Sequence, residues 1–146
     1  MTLAAKQQQL ADDLAIIDDP QERLGAVVDR AKNLPPLSAA ERTDEHRVRG
    51  CVSVVYLVGE VDAAGRCQFR CDADSPLVRG LVALLCDFFS GATPAEIATS
   101  GADPLDALGL TKNLSPTRQN GLTSTRAAIR AFAKKHLPAN QTNPRE

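Results

Sequence analysis

Apolar positions recur at helical spacing in three stretches of the chain. Leu24, Val27, Val28 and Ala31 predict a helix from about Pro20 to Lys32, preceded by a first helix from about Thr2 to Ile17. Leu77, Val78, Leu81, Val82, Leu84, Leu85, Phe88 and Phe89 are apolar around most of a helical circumference, as expected of a helix laid against a sheet at the centre of the core. A last helix from Pro116 to His136 buries Leu122, Ile129 and Phe132 and leaves Arg126, Arg130, Lys134 and Lys135 largely outside.

Five dipeptides mark helix starts: Asp19-Pro20, Ser75-Pro76, Thr93-Pro94, Asp103-Pro104 and Ser115-Pro116. The Asp, Ser or Thr side chain accepts from a free amide of the first turn, and proline loses nothing there because its N–H would be unpaired anyway. Glu22, Glu96 and Asp106, three positions after their caps, reinforce three of these starts. Only one region reads as extended. Val52 to Val58 is rich in β-branched residues, and after the turn signals Asp62 and Gly65 the segment Arg66 to Asp72 alternates, with Cys67, Phe69 and Cys71 on one face. Two strands are too few to stand alone, so a third strand or a cover of helices is expected. Ser38 to Arg49 reads as a polar loop. One domain is expected over residues 1–137, with 138–146 a disordered tail.

The 146 residues, 43% hydrophobic, suffice for a single buried core. A net charge of −1 without a Lys/Arg block argues against nucleic acid as a partner. The longest apolar stretch, Leu81 to Phe89, is interrupted by Asp87 and is much shorter than the roughly 20 residues a bilayer needs, so no membrane span is expected. The first fifteen residues lack a signal-peptide core, and Asp12 and Asp13 argue against a transit segment. A cytoplasmic protein with free thiols at Cys51, Cys67, Cys71 and Cys86 is the expectation. No CxxC pair and no histidine at zinc-finger spacing accompany them, so no metal site is expected. Cys67 and Cys71 would sit about 13 Å apart along an extended strand, too far for a disulfide.

Cys51 lies where the polar loop meets the first strand, in Arg47-Val48-Arg49-Gly50-Cys51-Val52-Ser53. Gly50 allows the chain to bend there, and Arg47, Arg49 and His46 put positive charge nearby, which favours the thiolate. Two readings stand side by side: a reactive loop thiol, or a small buried residue at a strand start. Cys86, inside the most apolar helix, and Cys67 and Cys71, on the inward strand face, read as core. No glycine-rich loop cradles a phosphate, and Ser53 lacks the following glycine of a nucleophile elbow.

Several ordered strings resemble the SufE/CsdE-type sulfur acceptors from about Asp19 to His136: Leu34-Pro35-Pro36-Leu37, Val48-Arg49-Gly50-Cys51-Val52-Ser53, Asp72-Ala73-Asp74-Ser75, Ser90-Gly91-Ala92-Thr93-Pro94 and Leu114-Ser115-Pro116-Thr117-Arg118. Val52 and Tyr56 depart from it, standing where many members carry Gln and Trp. The resemblance implies an α+β fold, a small antiparallel sheet flanked by helices, similar to the IscU/SufE fold. It maps the persulfide acceptor onto Cys51 and site residues onto Asp74 and Arg118, with Gly50 and Ser53 in the acceptor motif and His46 and Arg49 beside it. It implies a cysteine desulfurase as partner, which holds the pyridoxal phosphate, so that this chain needs no cofactor, and a downstream iron–sulfur scaffold as possible recipient. Asp74 and Arg118 also have plain structural readings. Asp74 precedes the Ser75 cap at the positive end of a helix, whereas Arg118 in a first turn opposes the helix dipole and calls for a carboxylate or a partner. Two alternatives remain: an IscU-like scaffold for cluster assembly, and a module that activates a desulfurase by docking alone.

Overall fold

The computed structural model describes residues 2–49, 54–112 and 114–137. Six helices and one hairpin follow in the order α1 (Leu3–Leu14), α2 (Pro20–Ala31), β1 (Val55–Val61), β2 (Cys67–Ala73), α3 (Pro76–Phe89), α4 (Pro94–Thr99), α5 (Pro104–Ala107) and α6 (Pro116–Lys135), with a 3-10 turn at Asp44–His46. This is the expected α+β arrangement. All five Asp/Ser/Thr-Pro dipeptides cap helices: the side chains of Asp19, Ser75, Thr93, Asp103 and Ser115 each accept from a first-turn amide, and Thr93 with Glu96 closes a reciprocal capping box.

The strands pair antiparallel, Val55 opposite Ala73 and Val61 opposite Cys67. Both lie later than the β-branched run and the alternation predict. Val52 and Ser53 are outside the described residues, and Gly59-Glu60-Val61 belongs to β1. Gly59 is tolerated in mid-strand because α6 crosses there: a Cβ at this position would meet the Phe132 ring at 2.9 Å. The turn is held by Asp62, whose Oδ1 accepts from the amides of Ala64 at 2.9 Å and Arg66 at 3.0 Å, and Gly65 takes the left-handed φ of 79°.

No third strand completes the sheet among the described residues; a single bridge from Arg47 to Tyr56 lies on the free edge of β1, and helices cover the rest. α3 is the central element. It packs against β2 on one side and α2 on another, burying Leu81, Leu85, Phe88 and Phe89 almost completely. Gly80 lets α2 approach, since a Cβ there would sit 2.9 Å from the Val28 Cα.

Two expectations for α6 need correction. Phe132 is only partly buried, edge-on to Phe69 with ring centres 5.3 Å apart. Arg126 and Arg130 are not free surface charges: Arg126 pairs with Asp103 at 2.9 Å, and Arg130 reaches the carbonyls of Ser100 and Ala102. Both reach the 100–103 segment between α4 and α5, which gives Arg130 two carbonyl acceptors and Arg126 a carboxylate partner for its charge, although Arg126 Nη1 itself makes no hydrogen bond.

Candidate functional site

The segment 50–53, which holds Gly50, Cys51 and Ser53, lies outside the described residues; its two flanks end at Arg49 and begin again at Val54. Val48 N–H donates to the Val55 carbonyl at 2.9 Å, and Arg47 bridges to Tyr56. The chain therefore leaves and rejoins the sheet at one point on the free edge of β1. Val48 is buried and Arg49 exposed. On the returning side, the Asp74 amide donates to the Val54 carbonyl at 3.3 Å, which sets Asp74, itself exposed, beside the same segment.

The approach from α2 is fixed by a buried carboxylate that the sequence pattern does not reveal. Asp72 continues the polar side of the β2 alternation, yet it is 6% exposed because residues 37–42 lie over that face. It accepts from the Leu37 amide at 3.2 Å, from Arg42, and from Arg79 Nε at 3.2 Å. The Arg79 guanidinium in turn donates to the carbonyls of Ala31 and Leu34, each at 2.9 Å, at the end of α2. One carboxylate and one guanidinium thus join α2, the loop, β2 and α3. Burial opposes ionisation of Asp72, but the hydrogen bonds from Arg42, Ala73 N–H and Leu37 N–H outweigh it and hold its pKa below the ordinary value. Beside it, Glu41 pairs with Arg70, and that bond with the Ser38 amide lowers its pKa to about 2.

His46 ends this approach. Its Nδ1 lies 2.9 Å from the Glu41 carbonyl, and since a carbonyl can only accept, Nδ1 is the donor of this bond. His46, Arg47 and Arg49 border a cleft of about 630 Å³ that runs between the loop, β1 and α6, with Leu57, Phe69 and Phe132 as apolar lining and Lys135 on the far rim. The structure thus brings His46, Arg49 and Asp74 to the flanks of the Cys51 segment. It does not join Arg118 to them. Arg118 is exposed in the first turn of α6, its amide bonded to Ser115 Oγ at 3.3 Å, and among the described residues no hydrogen bond or ion pair links its guanidinium to Asp74, His46 or Arg49.

The other cysteines are free thiols, Cys67 and Cys86 buried as expected. Cys71 is only half-buried, a departure from the core reading, because its end of β2 opens onto a cavity next to Leu34 and Pro35. Among the described residues no group of three His, Cys, Asp or Glu side chains is placed to hold a metal ion, and no helix is long and apolar enough to cross a membrane.

Residues 8–133 match the SufE family, described as an Fe-S metabolism associated domain. The chain belongs to the SufE family. An uncharacterised SufE-like protein of Rhizobium meliloti is 38% identical over 137 residues, covering 90% of this chain and 96% of that protein. SufE-like protein 1, chloroplastic/mitochondrial, of Arabidopsis thaliana is 35% identical over 120 residues, 82% of this chain and 32% of that one. The solution structure of a hypothetical protein from Thermus thermophilus superposes with a TM-score of 0.72 at 19% identity, covering 90% of this chain and 95% of that one, and shows the fold to be shared. In this SufE-family chain the α+β frame brings Arg49 and Val54, the residues on either side of segment 50–53, to one sheet edge, between Asp74 and a cleft bordered by Arg47, Arg49 and Lys135.

Proposed function

We propose that Cys51 accepts sulfur as a persulfide from a cysteine desulfurase, and that the chain thereby stimulates the desulfurase and hands sulfur on for iron–sulfur cluster assembly. The observation that carries this reading is the position of Cys51 in the sequence: family membership supplies the Fe–S context, and the cysteine falls between two flanks pinned to the free edge of β1, with Arg47, Arg49 and His46 on one of them. In the exchange, the Cys51 thiolate attacks the outer sulfur of the partner's cysteine persulfide. The S–S bond of that persulfide breaks, the partner's thiolate leaves with the electron pair, and Cys51 holds the transferred sulfur. Positive charge beside the segment favours the thiolate that must attack.

In this reading the pyridoxal phosphate that generates the sulfur belongs to the desulfurase, this chain needs no cofactor or metal, and the exchange takes place in the cytoplasm. Asp74 and Arg49 contact the partner, His46 orients the approach through its Glu41 bond, and Arg118 meets the desulfurase from a separate patch. The scaffold alternative is less favoured because Cys67, Cys71 and Cys86 lie along the helix–sheet interface and do not converge on the exposed edge. The Cys51→Ser protein tests the assignment: it should keep its fold and bind the desulfurase while losing sulfur acceptance and stimulation. Full stimulation by the mutant would leave docking alone as the function.

A further inference from the structure

Cys71 and Cys86 are separated by fourteen residues, yet they meet across the helix–sheet interface. Cys71 lies on the face of β2 that carries Cys67 and Phe69, opposite Leu57 of β1, and α3 packs on that face. Cys86 lies in the last turns of α3. Both thiols line one cavity of about 250 Å³, bordered by Leu34, Pro35, Phe69 and Arg79. Their environments are unequal. Cys86 is 4% exposed, and its thiol is pushed well up, first by interaction with the Cys71 thiol and then by burial, so it retains its proton. Cys71 is half-buried and reachable through the cavity. An accessible thiol backed by a sheltered neighbour in the same cavity is the arrangement of an attacked cysteine with its resolving partner.

We propose that Cys71 and Cys86 form a redox-responsive dithiol which a peroxide converts into a disulfide joining β2 to α3. The Cys71 thiolate attacks one peroxide oxygen, the O–O bond breaks, and the departing oxygen takes up a proton, leaving Cys71 as a sulfenic acid. The Cys86 sulfur then attacks the Cys71 sulfur. The S–O bond breaks, the hydroxyl leaves as water with the Cys86 proton, and the S–S bond forms. The two thiols together lose two electrons and two protons, and the peroxide is reduced to two waters. A dithiol reductant reverses the change by thiol–disulfide exchange. The new bond would lie one residue from Asp72 and on the same helix as Arg79, adding a covalent link across the interface that this ion pair already spans.

The site is separate from Cys51, so the full chain carrying Cys51→Ser is the form to use. It is treated with hydrogen peroxide in the folded state, alkylated after denaturation and mapped without reduction. Cys71 and Cys86 should lose alkylation together, in equal amounts, and appear as one linked peptide pair lighter by two hydrogens than its parts; dithiothreitol should restore both, and Cys67 should be alkylated throughout. With Cys71→Ser added, the same dose should leave Cys86 fully alkylatable. Cys71 oxidised to a sulfinic acid while Cys86 stays a thiol, Cys71 linked between two chains with Cys86 free, or both thiols unchanged at doses that oxidise an exposed thiol would each overturn the proposal.

Discussion

Asp72 shows how one residue can decide the geometry of a site it does not join. It receives Leu37 N–H, Arg42 and Arg79 together, and the resulting clamp fixes where the approach to Cys51 begins. Replacing it by asparagine keeps the size but removes the charge that two guanidinium groups face. Because Arg42 is partly in solvent, the loss should be about 2 kcal/mol, below that for a fully buried pair. Urea unfolding would read it as a lower midpoint at unchanged slope. The same residue predicts a pH dependence. Its folded pKa lies below the unfolded one, so its contribution is complete above the unfolded value and is lost as pH falls through the folded value. Glu41 acts in the same direction, between its ordinary 4.5 and about 2. Stability should therefore be flat from neutral pH down to about 5 and fall steeply below it. The Asp72→Asn protein should show a shallower fall over that range.

At the scale of elements, the close approach of α2 to α3 depends on the missing side chain at Gly80. Alanine in the middle of a helix normally gains about 1 kcal/mol over glycine. Here its Cβ would lie 2.9 Å from the Val28 Cα, a backbone atom that cannot rotate away, so Gly80→Ala should instead destabilise by about 1–3 kcal/mol. A midpoint that rises in thermal unfolding would contradict this packing. Gly59→Ala meets the edge of the Phe132 ring, which can shift, and should cost less. The helices were largely legible because each start carries its own chemistry: an Asp, Ser or Thr cap followed by proline acts within one turn and needs no tertiary partner. The hairpin was legible in kind, but its limits were not. Val52 has the composition of a strand, whereas the pairing of Val55 with Ala73 is set by the Asp62–Gly65 turn and by α6 crossing at Gly59. Composition also could not show that Asp72 is buried or that Cys71 meets Cys86, since both depend on segments distant in sequence folding over the strand.

For the whole molecule, the clamp limits where motion can occur. The stretch from Ser38 to Arg49 reads from sequence as a polar loop, but Leu37 before it and Glu41, Arg42 and Val48 within it are each bonded to the frame, and His46 is bonded back to the Glu41 carbonyl. The approach to Cys51 is thereby held as far as Val48, and in the reading proposed above the thiol is hidden until a desulfurase docks. A carrier gains from such a change, because a persulfide left in water is lost by the same exchange that forms it. Alkylation of Cys51 should therefore be slow in the free protein and faster in complex with a catalytically dead desulfurase. Cys67 and Cys86 serve as buried controls, and the half-buried Cys71 does not. Equal, fast rates in both states would dismiss the hidden thiol while leaving the acceptor assignment standing.

The most direct test of that assignment is mass spectrometry of the chain after incubation with a cysteine desulfurase and cysteine, with each thiol mapped by peptide. The account predicts one added sulfur atom on Cys51, removable by reductant and absent from the Cys51→Ser protein. A chain that stimulates the desulfurase yet gains no sulfur, or gains it on Cys71 while Cys51 stays a thiol, would contradict it.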